Sequence, residues 1–289
     1  MRVAISPDTS IGSVRLTVAD VERERELYER VVGLRPIAGT VEPGLMRLGA
    51  NGTPLIELAA DPGAPPRPQG TTGLFHLAVL FGSRAELAAA VRRIAEARWP
   101  LGGASDHLVS EALYTGDPEG TGIELYRDRP REEWTRTEDG VEMATLPLDV
   151  DSLLTEAPES GPEPQAAAPD TRIGHVHLQV ADLDAAEAFY VGTLGFEVMT
   201  RGYPGALFVS AGGYHHHIGL NTWAGRGAPP PPPGARGLRW FEIVLPDAAQ
   251  LDEAERALDD AGAAAERLSD GVLTTDPSGN GVLLRAASG

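Results

Sequence analysis

The stretch IGSVRLTVAD at residues 11–20 returns as IGHVHLQVAD at 173–182. Within each copy apolar and polar residues alternate, the pattern of a half-buried strand. Each copy runs into a helix-like segment that carries an aromatic-containing pair, LY or FY, before glycine: ERELYERVVGL at 24–34 and AEAFYVGTLGF at 186–196. Asp20 and Asp182 close the two strands and are placed to cap the helices that follow. An internal repeat of this kind means that one supersecondary unit has been used more than once.

The repeat goes deeper than two halves. GLFHLAVLF at 73–81 matches GLRWFEIVL at 237–245, and DPEGTGIEL at 117–125 matches DPSGNGVLL at 276–284. Between the members of the first set lie the helix-like SRAELAAAVRRIAEA, with Ser83 as N-cap and Glu86 at the capping-box position, and the strand-like SEALYTG. The pieces LMRLGA and PLIELAA supply the corresponding strands of the first quarter. The chain therefore reads as four βαβββ modules, at 11–60, 72–128, 172–222 and 236–285. They form an N-terminal half over 1–128 and a C-terminal half over 172–289. Residues 129–171, with RPREEWTRTEDG and the Pro/Glu/Ala-rich APESGPEPQAAAPD, read as a connector. Five prolines at 229–233 read as a stiff surface link between the third and fourth modules.

Composition removes several function classes. A formal net charge of −18 over 289 residues disfavours nucleic acid and anionic membranes as partners. No apolar run is long enough to span a bilayer, no secretory signal is visible and no glycine-rich phosphate loop of Walker or Rossmann type appears. There are no cysteines, so disulfides, thiolate metal sites and cysteine nucleophiles are excluded. A cytoplasmic protein is expected.

A single βαβββ module curves into a half-barrel whose concave face needs a partner, so modules pair. Inward residues on the first and last strands then decide what chemistry a pair can hold. The first module offers Ser13 and Glu57, the second His76 and Glu124, and the third His175 together with the run His215, His216 and His217 in AGGYHHHIGLN. The fourth offers Trp240 and Leu283, which cannot bind metal. If the histidine run lies on the last strand, His216 faces one way and its two neighbours the other.

The strand IGHVHLQVADL, GLFHLAV and DPEGTGIELY resemble the vicinal oxygen chelate superfamily, which includes glyoxalase I, the fosfomycin and bleomycin resistance proteins and the extradiol dioxygenases. The resemblance covers nearly the whole chain outside 129–171. It implies an α+β fold of four modules arranged as two half-barrel pairs. Within the superfamily the chain is most similar to the four-module catechol 2,3-dioxygenase type. That likeness implies Fe(II), with Mn(II) also compatible, held by His76, Glu124 and His175. It also implies proton handling by His216, with His107 and Tyr114 beside the substrate. The expected reaction joins O2 to a small aromatic diol and cleaves the ring beside the hydroxyls, giving a muconic semialdehyde.

The better-known extradiol enzymes take their ligands from modules three and four. Here Trp240 and Leu283 forbid that, and pairing modules one and two yields only one histidine. Pairing two with three unites His76, Glu124 and His175 with His107, Tyr114 and His216. The inner modules are therefore expected to form the active cleft, and the outer ones a metal-free barrel. His177 shares the face of His175 and reads as packing or support. His215 and His217 read as supporting or interface residues, Glu57 as a rim carboxylate, Trp240 and Leu283 as core filling, and Asn221 and Trp223 as lining the cleft mouth. His107 reads equally as a polar loop residue and Tyr114 as sheet packing. Two other activities stay open: a glyoxalase-type isomerase or lyase using Glu57, His76 and Glu124 with nickel or zinc, and a non-catalytic binding protein of the bleomycin-resistance type. A homo-oligomer is compatible with the exposed sheet edges of this fold.

Overall fold

The computed structural model describes residues 4–39, 42–137, 140–158 and 166–287. Its frame is two mixed sheets of eight and nine strands. In each module the opening strand pairs in parallel with the last one: Ser10–Val18 with Thr53–Ala60, Gly73–Phe81 with Gly122–Asp128, Arg172–Gln179 with Ile218–Asn221, and Gly237–Leu245 with Gly281–Ala286. Opening strands then meet antiparallel across two seams. Ser10–Val18 joins Gly237–Leu245, and Gly73–Phe81 joins Arg172–Gln179. The strands of the first and fourth modules thus share one sheet, and those of the second and third share the other.

Strand alternation sorts the side chains. On Arg172–Gln179, His175 and His177 point to one side, while Val176 and Leu178 enter the main apolar core with Leu77 and Ile123. The helices start where the sequence places them. Asp20 accepts from the Arg23 N–H at 3.0 Å, Ser83 from Glu86 at 3.2 Å and Asp182 from Ala185 at 2.8 Å. The helices that open the first and third modules widen into π-turns at Tyr28–Val32 and Ala188–Thr193. The first of these is closed by Gly33 at φ 90°, a left-handed conformation that favours glycine.

The expected placement of the histidine run needs correction. The histidine run does not lie on the last strand of its module. That strand begins at Ile218, and 215–217 form the loop entering it. The position equivalent to Glu124 is Gly219, where an added Cβ would lie 2.8 Å from the His177 ring. The closely packed His177 ring leaves no room for a side chain there. The connector, for its part, does more than join two halves. Leu146–Pro147 adds a strand to the edge of the nine-stranded sheet, and Val150–Leu154 is a helix with Leu153 fully buried. Trp134 is buried against Tyr214 and His215. Residues 159–165 of the proline-rich stretch lie outside the described residues.

Candidate metal centre and active cleft

Register brings three of the expected ligands to one point. Ala78 is the cross-strand partner of both His175 and Glu124, so these two flank a side chain of a single methyl group. His76 enters from the same seam. His76 Nε2 lies 3.1 Å and His175 Nε2 3.2 Å from the same oxygen of Glu124. One donor atom from each of the three falls within 4.8 Å of the others, and all three residues are buried. His76 Nε2 has no aligned hydrogen-bond partner among the described residues. A buried nitrogen left in that condition is costly unless something else satisfies it.

The charge state suits a cation. Burial works to raise the Glu124 carboxyl, but His175 and His76 outweigh it and hold the group well below the usual carboxylate range. Burial pushes His175 down to about 4, even against the pull of Glu124. At neutral pH the trio is then an ionised carboxylate with a neutral His175 lone pair. Two imidazoles and a carboxylate match a divalent first-row metal such as iron or manganese. The residues present therefore fit the metal that the sequence implies.

Above the trio opens a cavity of about 310 Å³. Its walls are mainly aromatic and aliphatic, with Phe75, Val109, Met143, Phe208 and Trp223, and His76, Glu124, Tyr114, His107 and His216 reach into it. Tyr114 stands opposite Glu124 across the strand pair, on the same face. Its hydroxyl lies 2.6 Å from His107 Nε2, and His107 Nδ1 lies 2.7 Å from the Ala144 carbonyl. A carbonyl only accepts, so His107 carries its proton on Nδ1 and Tyr114 donates to Nε2. Burial, reinforced by the Glu124 charge, keeps the Tyr114 phenol protonated by raising it well above its ordinary range.

The histidine loop packs behind the trio. The His216 ring lies 4.1 Å, centre to centre, from that of His175. Burial and the neighbouring imidazoles hold His216 well below the ordinary histidine range. His217 turns away from the cavity. Its Nδ1 accepts from the Ala211 N–H at 3.2 Å and lies 3.0 Å from the Ser210 hydroxyl, so it fixes the loop. The structure thus brings His76, Glu124, His175, His216, His107 and Tyr114 to one cleft.

The eight-stranded sheet shows what replaces such a centre. Glu242 takes the position of Ala78, and its carboxylate accepts from the Ser13 N–H at 2.9 Å and the Ser13 hydroxyl at 3.2 Å. Arg285 lies 3.1 Å from its other oxygen. Glu57, read as a rim carboxylate, is instead buried and held by Arg47 at 3.1 Å. A buried carboxylate needs such partners. Leu283 fills the core as expected, but Trp240 is only half-buried and lies beside Arg15.

Sequence reasoning missed part of the cleft wall. Met143 and Thr145 line the cavity and Ala144 anchors His107, all from the connector. No local motif marks them, because their role depends on a long-range strand pairing. Asp128 was also missed, although it lies at even spacing after Glu124 on one strand, which places both on one face.

Fold and site together define a protein of paired βαβββ modules with a cleft over a candidate metal centre. The family model described as Glyoxalase/Bleomycin resistance protein/Dioxygenase superfamily matches residues 10–125 and 172–283, and the chain belongs to that superfamily. Within it the chain is similar to the Catechol-2,3-dioxygenase of Bacillus subtilis (strain 168), with 44% identity over 280 residues, covering 95% of this chain and 96% of the relative. Among solved structures, a putative dioxygenase from Bacillus subtilis aligns with a TM-score of 0.68 at 15% identity, covering 98% of this chain and 86% of that one. Glyoxalase I from Zea mays aligns with a TM-score of 0.58 at 15% identity, covering 96% and 92%. At such identities the two structures bear on the fold alone. The likeness to the catechol 2,3-dioxygenase type drawn from the repeat is upheld by the curated relative.

Proposed function

We propose that the protein is an extradiol dioxygenase that cleaves the ring of a small catechol-type diol with O2, using Fe(II) held by His76, Glu124 and His175, and that it works in the cytoplasm. Mn(II) suits the same donors. The observation that carries this reading is the convergence of the two imidazoles and the carboxylate beneath an apolar cavity rimmed by His216 and Tyr114. A divalent metal bound by one face of three ligands would leave adjacent positions for both diol oxygens and for O2.

The chain's own groups handle the rest. The apolar walls bury the ring and exclude water from it. His216 is neutral and within reach of the cavity, so it takes a proton from a diol hydroxyl and later returns one. Tyr114, with its O–H already directed to His107, positions a substrate oxygen. A glyoxalase-type centre would need Glu57, which lies in the other sheet with Arg47.

Oxygen uptake by protein reconstituted with Fe(II) or Mn(II) tests the proposal. Catechol is expected to give stoichiometric O2 consumption and a yellow ring-cleavage product. No uptake with either metal across a panel of neutral and charged catechols overturns it.

A further inference from the structure

Behind the cleft, His216 heads a line of three side chains whose other two members, His215 and Asp128, have no part in the proposed chemistry. His216 Nδ1 lies 2.8 Å from His215 Nδ1, and His215 Nε2 lies 2.9 Å from Asp128 Oδ1. Both histidine rings are buried. The Tyr214 hydroxyl also donates to Asp128 Oδ1 at 3.2 Å, and the Tyr126 and Tyr214 hydroxyls lie 2.8 Å apart. With the Tyr214 proton directed to Asp128, the Tyr126 hydroxyl donates to Tyr214. The Asp128 carboxylate is therefore fixed from two sides.

The line has one consistent set of protons for neutral rings. A carboxylate only accepts, so the proton between Asp128 and His215 belongs to His215 Nε2. A neutral imidazole carries one N–H, which leaves His215 Nδ1 as an acceptor. The proton between the two histidines then belongs to His216 Nδ1, and His216 Nε2 is left with a bare lone pair. That nitrogen makes no hydrogen bond among the described residues, and His216 lines the cavity.

We infer that Asp128 and His215 are positioning residues that lock His216 into the Nδ1–H tautomer, presenting Nε2 to the cleft as a proton acceptor. Neither touches the cavity: His215 and Asp128 lie on the far side of His216, and both act through it. The run of adjacent histidines thereby acquires distinct roles. His216 faces substrate, His215 sets its tautomer, and His217 pins the loop. The carboxylate at the end of the line comes from the strand that carries Glu124, so one strand supplies both a proposed metal ligand and the anchor for the proposed base.

This inference rests on the proposed role of His216, but its test has a readout that does not depend on turnover. Long-range 1H–15N correlation spectra of the full chain, labelled on histidine nitrogen and loaded with diamagnetic Zn(II), report the tautomer directly. The native protein is expected to show His216 protonated on Nδ1 and bare on Nε2. His215→Leu removes the acceptor, and His216 should shift toward the Nε2–H form. His215→Asn places an amide oxygen on the atom that carries Nδ1 in histidine, and should restore the native tautomer. With the metal-reconstituted enzyme, kcat should fall at least about tenfold in His215→Leu with KM changed less than about threefold, and should recover in His215→Asn. A native His216 protonated on Nε2 overturns the inference, as does a tautomer unmoved by His215→Leu. If the native protein cleaves no catechol while the spectra show Nδ1–H, the functional reading fails and the tautomer lock stands.

Discussion

His76 and His177 stand directly opposite each other across the seam joining the second and third modules, their rings 5.0 Å apart and nearly perpendicular. Both face the hollow, yet only His76 reaches Glu124. His177 packs on Phe75 and Trp223, and burial holds it well below the ordinary histidine range. The pair separates metal binding from cleft shape. Replacing His76 or His175 by Ala should weaken divalent metal binding by more than about 100-fold, a loss larger than that usual for outer supporting residues. His177→Phe should keep the metal and change substrate KM instead. Metal analysis after dialysis, set beside steady-state kinetics, checks both. Retention of full metal content by His175→Ala would remove the proposed centre.

The cleft wall predicts a charge preference. Among the described residues neither Lys nor Arg lines the cavity, whereas Phe75, Phe208, Met143 and Trp223 do. A carboxylate on the ring would lose its hydration there without gaining a partner. Catechols with alkyl substituents should therefore show kcat/KM at least about tenfold higher than isosteric catechols bearing a carboxylate. Competition assays between such pairs would reveal the opposite order if a cation reaches the cleft.

Acid should loosen the metal-free protein before its carboxylates are protonated. Burial pushes His175 down to about 4 and His217 down to about 3, from an ordinary value of 6.5. Their folded-state values are depressed, so the unfolded chain binds more protons as pH falls below about 6.5. The stability that these neutral rings contribute is present above that pH and is lost on the way down to about 4. Between pH 6.5 and pH 5 the combined loss is on the order of 4 kcal/mol. Urea midpoints measured between pH 8 and pH 5 should fall across this window. His217→Gln should flatten the slope without removing the proposed metal ligands.

Much of this was legible in the sequence because repeats and strand parity are local. IGHVHLQVAD places His175 and His177 on one face by alternation alone, and DPEGTGIEL places Glu124 on the strand beside His76. The pairing of modules two and three follows by elimination, since Trp240 and Leu283 cannot hold metal. What stayed hidden depends on distant contacts. Ala144 meets His107 only because Leu146–Pro147 joins the sheet edge. Module position alone puts the histidine run of AGGYHHHIGLN on the last strand, yet the Nδ1 of His217 is drawn back to the Ala211 N–H and holds the segment as a loop.

Glu24 carries the opposite pH signature. It is fully buried on the first helix, and burial together with the Asp117 and Glu119 charges pushes its carboxyl up to about 9. The folded-state value is raised, so the favourable contribution of the protonated form is complete below about 4.5 and is lost as pH rises toward 9. At pH 8 an unfolded Glu24 is ionised, and folding must put the proton back. Glu24→Gln keeps the shape and removes that requirement. It should raise stability at pH 8 by about 1–3 kcal/mol and leave it nearly unchanged at pH 4.5. Denaturant titrations of both proteins at the two pH values check the sign, and a variant less stable than the parent at pH 8 would mean that Glu24 is held as an anion.

Gly174, next to His175, tests how closely the centre is packed. A Cβ there would lie 1.7 Å from the Tyr126 hydroxyl and 3.1 Å from the Leu80 side chain. Tyr126 is fully buried and hydrogen-bonded to Tyr214, so it has no free space to move into. Gly174→Ala must therefore displace the phenol or shift the strand that carries His175. Either response should cost about 2–4 kcal/mol, in the range of overpacked cores that also lose a buried hydrogen bond. The exposed Gly192, where an added Cβ meets nothing within 4 Å, serves as the control and should tolerate Ala with little change. Equal melting temperatures for the two variants would show that the Tyr126 ring is not held against the strand.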